Sequence, residues 1–146
     1  MFEVGSLVYF TQFFFKNGNT PKPKYFVVLG VVDTEVVLAS LPTSQDHVPA
    51  KYGDISGCIN DDLQQFNVFK FKANLPVTDD EFCFPKDTFI YGEQLDTYPI
   101  DLLLEWKKQK NTDIESKGQL KAEYLEALRD CLKKSAKVKR RYKRYL

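Results

Sequence analysis

Tyr25-Phe26-Val27-Val28-Leu29-Gly30-Val31-Val32, then Asp33-Thr34, then Glu35-Val36-Val37-Leu38-Ala39-Ser40-Leu41 is the stretch whose reading decides the architecture. Residues 25–32 are too continuously apolar for a surface strand, which predicts a central one. Asp33-Thr34 is a tight turn, and the second apolar run returns directly from it. The two runs are therefore expected to form an antiparallel hairpin.

Outward from the hairpin, strand formers are separated by turn chemistry. Leu7-Val8-Tyr9-Phe10 follows Gly5, and residues 17–23, with Gly18, Pro21 and Pro23, read as a loop. Pro42 ends the second strand of the hairpin, and residues 42–65 are loop-like, with Pro49, Gly53 and Gly57 among many polar side chains. Residues 66–72 alternate apolar and polar, which predicts a strand buried on one face. Short strands at 81–84 and 88–91 complete a set that suggests a small antiparallel barrel.

The period then changes. Pro99 and Asp101 suit a first helical turn, Lys107, Lys108 and Lys110 its far end, and Ile100, Leu103, Leu104 and Trp106 its apolar side. Residues 111–118 read as a polar connector, with Ser116 and Gln119 placed as a capping box. Leu120, Tyr124, Leu128, Cys131 and Leu132 recur at helical spacing and predict a second helix over about 119–135. The fold class expected is mainly β with C-terminal α. One domain of 146 residues divides into a barrel (1–97), a helical part (98–135) and a basic tail (136–146).

Charge is uneven. Residues 133–146 carry eight of the 21 Lys and Arg and none of the 20 acids, which leaves 13 basic residues in the body. The apolar helix face gives out beyond Leu132. Lys137, Lys139, Arg140, Arg141, Lys143 and Arg144 are thus candidates for binding RNA phosphates, the alternative being a solvated end lying against the acidic body. Residues 136–146 are on this reading dispensable for folding. The amino terminus does not read as a secretory signal, and no apolar run approaches a membrane span. Three separated cysteines, Cys58, Cys83 and Cys131, form no CxxC pair and leave an odd thiol, which suits a reducing cytoplasm and argues against a zinc ribbon.

Chemistry-bearing residues are few. One histidine and no close cysteine pair imply no metal site, and with no P-loop or GxGxxG there is no call for a nucleotide cofactor. Asp61-Asp62 and Asp79-Asp80 read as solvated turns. The segment leaving the hairpin, 41–49, holds Thr43 and Ser44, which can donate to a phosphate, and His47, which can exchange a proton near neutral pH. The same residues can equally close the strand as a Ser/Thr turn with His47 exposed. Lys22 and Lys24, between and after Pro21 and Pro23, enter the hairpin at the end that Thr43 leaves. They are either a solvated loop or cations converging with Thr43 on a phosphodiester.

In this order the segments resemble the MazF/PemK family of toxin ribonucleases. Gly5-Ser6-Leu7-Val8-Tyr9-Phe10 stands at the place of the family's first strand. Lys22-Pro23-Lys24-Tyr25-Phe26-Val27-Val28-Leu29 stands at its Arg-Pro pair and apolar strand, and Leu41-Pro42-Thr43-Ser44 at its Pro-Ile-Thr-Ser-like element. Lys86-Asp87-Thr88-Phe89-Ile90-Tyr91, then Gln94 and Thr97, is similar to its later Lys-Asp-Ser segment, Gln and Thr. The resemblance spans roughly residues 4–104. It implies an SH3-like barrel that cleaves single-stranded RNA without a metal, with an antitoxin protein and a homodimer as partners to look for. The family's catalytic arginine falls on Lys22, with Lys24 close by, and its hydroxyl on Thr43. Lysine acts more as a point charge than a bidentate clamp. That departure keeps a second expectation in view, a non-catalytic SH3-like module that binds RNA or protein.

Overall fold

The computed structural model describes residues 1–41, 56–61, 63 and 66–146, with the backbone alone at Phe66. The segment holding Thr43, Ser44 and His47 lies outside the described residues. The chain forms β1 (Ser6–Phe13), β2 (Lys22–Val32), β3 (Glu35–Leu41), β4 (Gly57–Asp61), β5 (Phe66–Phe71), β6 (Thr88–Tyr91), β7 (Leu95–Pro99), α1 (Ile100–Gln109), β8 (Ile114–Gln119), α2 (Ala122–Lys134) and α3 (Arg140–Lys143). It is mainly β, with two antiparallel sheets and helices concentrated towards the C-terminus. One sheet has the order β7-β3-β2-β1-β8 and the other β4-β5-β6.

The hairpin stands at the centre of the larger sheet. Tyr25 pairs with Leu41 and Val32 with Glu35, and Asp33 takes the left-handed conformation (φ 53°) that a two-residue connection requires and aspartate tolerates. Burial on both faces explains the continuous apolar run. Val27, Leu29, Val37 and Ala39 face the second sheet and α2, where they meet Phe69, Phe71, Ile90 and Leu128. Phe26, Val28, Val36 and Leu38 face the other way, against Leu103 and Trp106 of α1.

Four expectations need correction. Residues 66–72 were to bury one face, yet β5 lies between β4 and β6 with Val68, Phe69, Lys70 and Phe71 all buried. Lys70 can be inside because its Nζ lies 3.3 Å from Asp87 Oδ2. Residues 111–118, expected as a connector, hold β8, which pairs with β1 at the sheet edge. Ser116 lies opposite Val8 and Gln119 opposite Ser6, so neither caps a helix. Residues 81–84 make a single bridge, Pro76 to Cys83, rather than a strand. Leu104, assigned to the apolar side of α1, is 42% exposed, while Leu103 and Trp106 are buried as expected.

The cysteines also change status. Cys58 of β4 and Cys131 of α2 form a disulfide across 73 residues, leaving Cys83 free. The argument from unpaired thiols to a reducing compartment therefore falls away, since disulfides persist mainly in oxidising ones. Among the described residues no helix is long and apolar enough to cross a membrane.

The Lys70–Asp87 pair gives a direct test of β5. The Ala73 N–H bonded to Asp87 holds its carboxyl below the usual range, Lys70 adding to the effect. Its contribution is then present above an unfolded value of 3.8 and lost as pH falls through the lower folded value. Asp87→Asn should cost about 1–2 kcal/mol, the half-exposed carboxylate moderating the penalty of leaving Lys70 buried. Denaturant titration at neutral pH checks this. A variant as stable as the parent would show that Lys70 does not depend on Asp87.

Candidate functional site: an aromatic-walled cleft beside a lysine pair

β2 begins with Lys22 opposite Phe13 and Lys24 opposite Phe10 of β1. Period-two alternation puts both lysines on the face of Phe26 and Val28, at the margin of the core beneath α1. Both Nζ atoms lie 5.8 Å from the centroid of the Phe15 ring. Lys24 is only 8% exposed, and among the described residues neither lysine has an ion-pair or hydrogen-bond partner. Burial draws the Lys24 ammonium below the ordinary 10.5, and repulsion from Lys22 adds to it. A buried ammonium with only a ring for company is an unfavourable arrangement that an arriving anion would relieve.

Beside this pair is a cavity of about 180 Å³ between the start of the β1–β2 loop and β7. Phe13, Phe15, Phe26, Leu38 and Tyr98 form its apolar walls, and Ser40, Glu93, Gln94 and Asp96 its polar rim. Phe13 and Phe26 are 4.5 Å apart at their centroids, and Phe13 meets Tyr98 edge-on at 5.2 Å. Lys16 holds the loop in place, donating to Asp96 Oδ1 (2.9 Å) and Thr97 O (2.7 Å) and lying 4.4 Å from the Tyr98 ring centroid. Burial, with the neighbouring Asp96 and Tyr142, pushes the Tyr98 phenol up to about 12.

The structure thus joins Lys22 and Lys24 to one another. Because Tyr25 pairs with Leu41, the chain leaves β3 at the sheet end where these lysines stand. Thr43, Ser44 and His47 follow from there, outside the described residues. Phe15, Ser40 and Glu93 were missed at the sequence level. The run Phe13-Phe14-Phe15 carried the usable signal, since more aromatic surface follows β1 than one strand end can bury.

The basic tail is not a free arm. Val138, Tyr142 and Leu146 are buried in the same core as Leu128 and Leu132, which corrects the expectation that the apolar face ends at Leu132. Gly30 of β2 has no Cβ because one would stand 3.1 Å from Tyr145 Cβ, and a Cβ on Gly92 would meet Ser135 Oγ at 2.7 Å. This anchorage leaves Lys139, Arg140, Arg141 and Arg144 exposed and Lys137 and Lys143 half-buried, none in an ion pair among the described residues. The tail does not join the lysine pair, as Tyr145 sits on β2 near its opposite end. The Tyr142 hydroxyl, 3.4 Å from Asp96 Oδ1, links it to the cleft.

Among the described residues no group of three or more His, Cys, Asp or Glu is placed to hold a metal ion. Comparison with protein-family models and with curated proteins finds no match for this chain. The fold and site together define a mainly β protein with a cation-flanked aromatic cleft and a separate basic face anchored by Val138, Tyr142 and Leu146.

Proposed function

We propose that the protein is a toxin-like endoribonuclease that cleaves single-stranded RNA, with the Lys22–Lys24 pair as its phosphate site. The observation that supports this is the pair itself: two lysines over one ring, one of them buried, without a carboxylate partner among the described residues. A core lysine kept for stability would be paired, as Lys70 is with Asp87. In this reading the RNA's own 2′-hydroxyl is the nucleophile. His47 accepts its proton as the 2′-oxygen bonds to phosphorus, the P–O5′ bond breaks to leave a 2′,3′-cyclic phosphate, and the departing 5′-oxygen takes a proton from water. Lys22 and Lys24, assisted by Thr43 and Ser44, hold the phosphoryl oxygens as charge gathers on them. An SH3-like closure of the two sheets, a homodimer and an inhibitory antitoxin protein belong to the same reading. So does the cytoplasm, where RNA is met and where the Cys58–Cys131 bond would have to withstand the glutathione pool.

Lys24→Met separates a binding role from a structural one. Methionine keeps the apolar stem and removes the buried charge, so stability should hold or rise by about 1 kcal/mol. RNA affinity should fall about tenfold or more, as expected for a lost charge-assisted contact. Alkaline titration gives an independent check. The folded protein releases the Lys24 proton before the unfolded chain does. Its burial penalty therefore acts below the folded pKa and is relieved as pH rises towards 10.5, while anion affinity declines over the same interval. Unchanged RNA affinity in Lys24→Met would end the phosphate-site reading.

Cleavage is tested with purified protein, a single-stranded RNA and a chelator, against His47→Ala. Lysine in the family's arginine position favours the second reading, a non-catalytic RNA- or protein-binding module. RNA bound at Lys24 but left intact would establish it.

A further inference from the structure

We propose that the cavity beside the lysine pair is a subsite for one unstacked nucleobase; this rests on the RNA reading and adds what the site recognises. The walls Phe13, Phe15, Phe26 and Tyr98 present ring faces and edges to a space of about 180 Å³. That space suits a single ring system and excludes a stacked pair. Its rim carries Ser40, Glu93 and Gln94, and among the described residues none of the three has a side-chain hydrogen-bond or ion-pair partner. Three hydrogen-bonding groups without partners around an apolar hole match a ligand with a flat body and a polar edge.

Phe15 supplies the geometric connection. One ring both lines the cavity and lies beneath Lys22 and Lys24. A base on the cavity side of Phe15 would leave its own phosphate within reach of the two ammonium groups. Single strands are the substrate that meets this demand, since their bases can be splayed out and stacked on aromatic side chains. Asp96 is already engaged by Lys16 and takes no part in reading the base; its task is to hold the loop that carries Phe15.

The test is calorimetric titration of the intact protein with the four ribonucleoside monophosphates, ribose phosphate and inorganic phosphate. At least one nucleotide should bind roughly tenfold more tightly than ribose phosphate, the gain expected from stacking one base. Gln94→Ala and Ser40→Ala, both at the rim rather than in the core, should each weaken that nucleotide about fivefold. Neither should alter ribose phosphate binding. The inference is overturned if no nucleotide binds, if ribose phosphate matches the best of them, or if both variants bind nucleotides as the parent does. Gln94-dependent nucleotide binding by a protein that leaves RNA uncut would uphold the subsite and retire the nuclease. RNA cleavage whose rate and base preference ignore both variants would do the reverse.

Discussion

Reduction of the Cys58–Cys131 disulfide is expected to lower the unfolding free energy by about 4 kcal/mol, the chain-entropy value for a closed loop of 73 residues. This is a large share of the 5–15 kcal/mol by which domains are commonly stable. The bond ties α2 to β4, a strand that pairs with β5 and whose Asn60 also donates to Cys131 O (3.2 Å). Leu128 and Leu132 would still anchor α2 after reduction, so the expected outcome is a weakened fold rather than an unfolded one. Cys58→Ser is the cleaner variant because Cys58 is exposed, whereas Cys131 is buried and its replacement would also disturb the core. Denaturant midpoints of the parent with and without reductant, beside Cys58→Ser, measure the effect. Coincident midpoints would show that the cross-link contributes nothing to the folded state.

Truncation after Ser135 should unfold or nearly unfold the protein. Val138, Tyr142 and Leu146 are each buried, and losing such side chains costs about 1.5–3 kcal/mol apiece, or roughly 4.5–9 kcal/mol together. Loss of Tyr145 would also uncover Gly30. Circular dichroism and thermal melting of residues 1–135 check this, and a cooperative transition near that of the full chain would contradict it. The charges can be removed without the anchors. Changing Lys139, Arg140, Arg141 and Arg144 to Gln leaves Val138, Tyr142 and Leu146 in place and should preserve the melt. If that face binds RNA, each phosphate neutralised contributes about −0.7 to the slope of log affinity against log salt, so four contacts give roughly −3. The substituted protein should show a flatter slope by about that amount. Identical slopes would confine RNA binding to the cleft.

Local sequence determined what depends on neighbours in the chain. The apolar runs at 25–32 and 35–41 with a two-residue turn specify a hairpin wherever it is placed, and Pro99, Asp101 and the lysines at 107–108 define α1 to within a residue. Residues 88–91 were likewise legible as a strand, being short, apolar and rich in strand formers. Sequence also named Lys22 and Lys24, because prolines beside a central strand restrict where those side chains can go.

Tertiary structure alone decided which faces are covered. β8 is polar enough to read as a connector, and becomes a strand because β1 offers it an open edge to pair with. β5 alternates as if half exposed, yet is buried on both sides once β4 and β6 flank it and Asp87 neutralises Lys70. The tail reads as a cationic arm because Val138, Tyr142 and Leu146, although four residues apart, fall out of phase with the Leu128–Leu132 face and stand among many more basic residues. They are recognisable as core only when the chain turns at Ser135 and lays them on the sheet. The Cys58–Cys131 pairing and the cleft share this origin. Each joins residues far apart in sequence, and only the packing of the sheets and helices sets the distances between them.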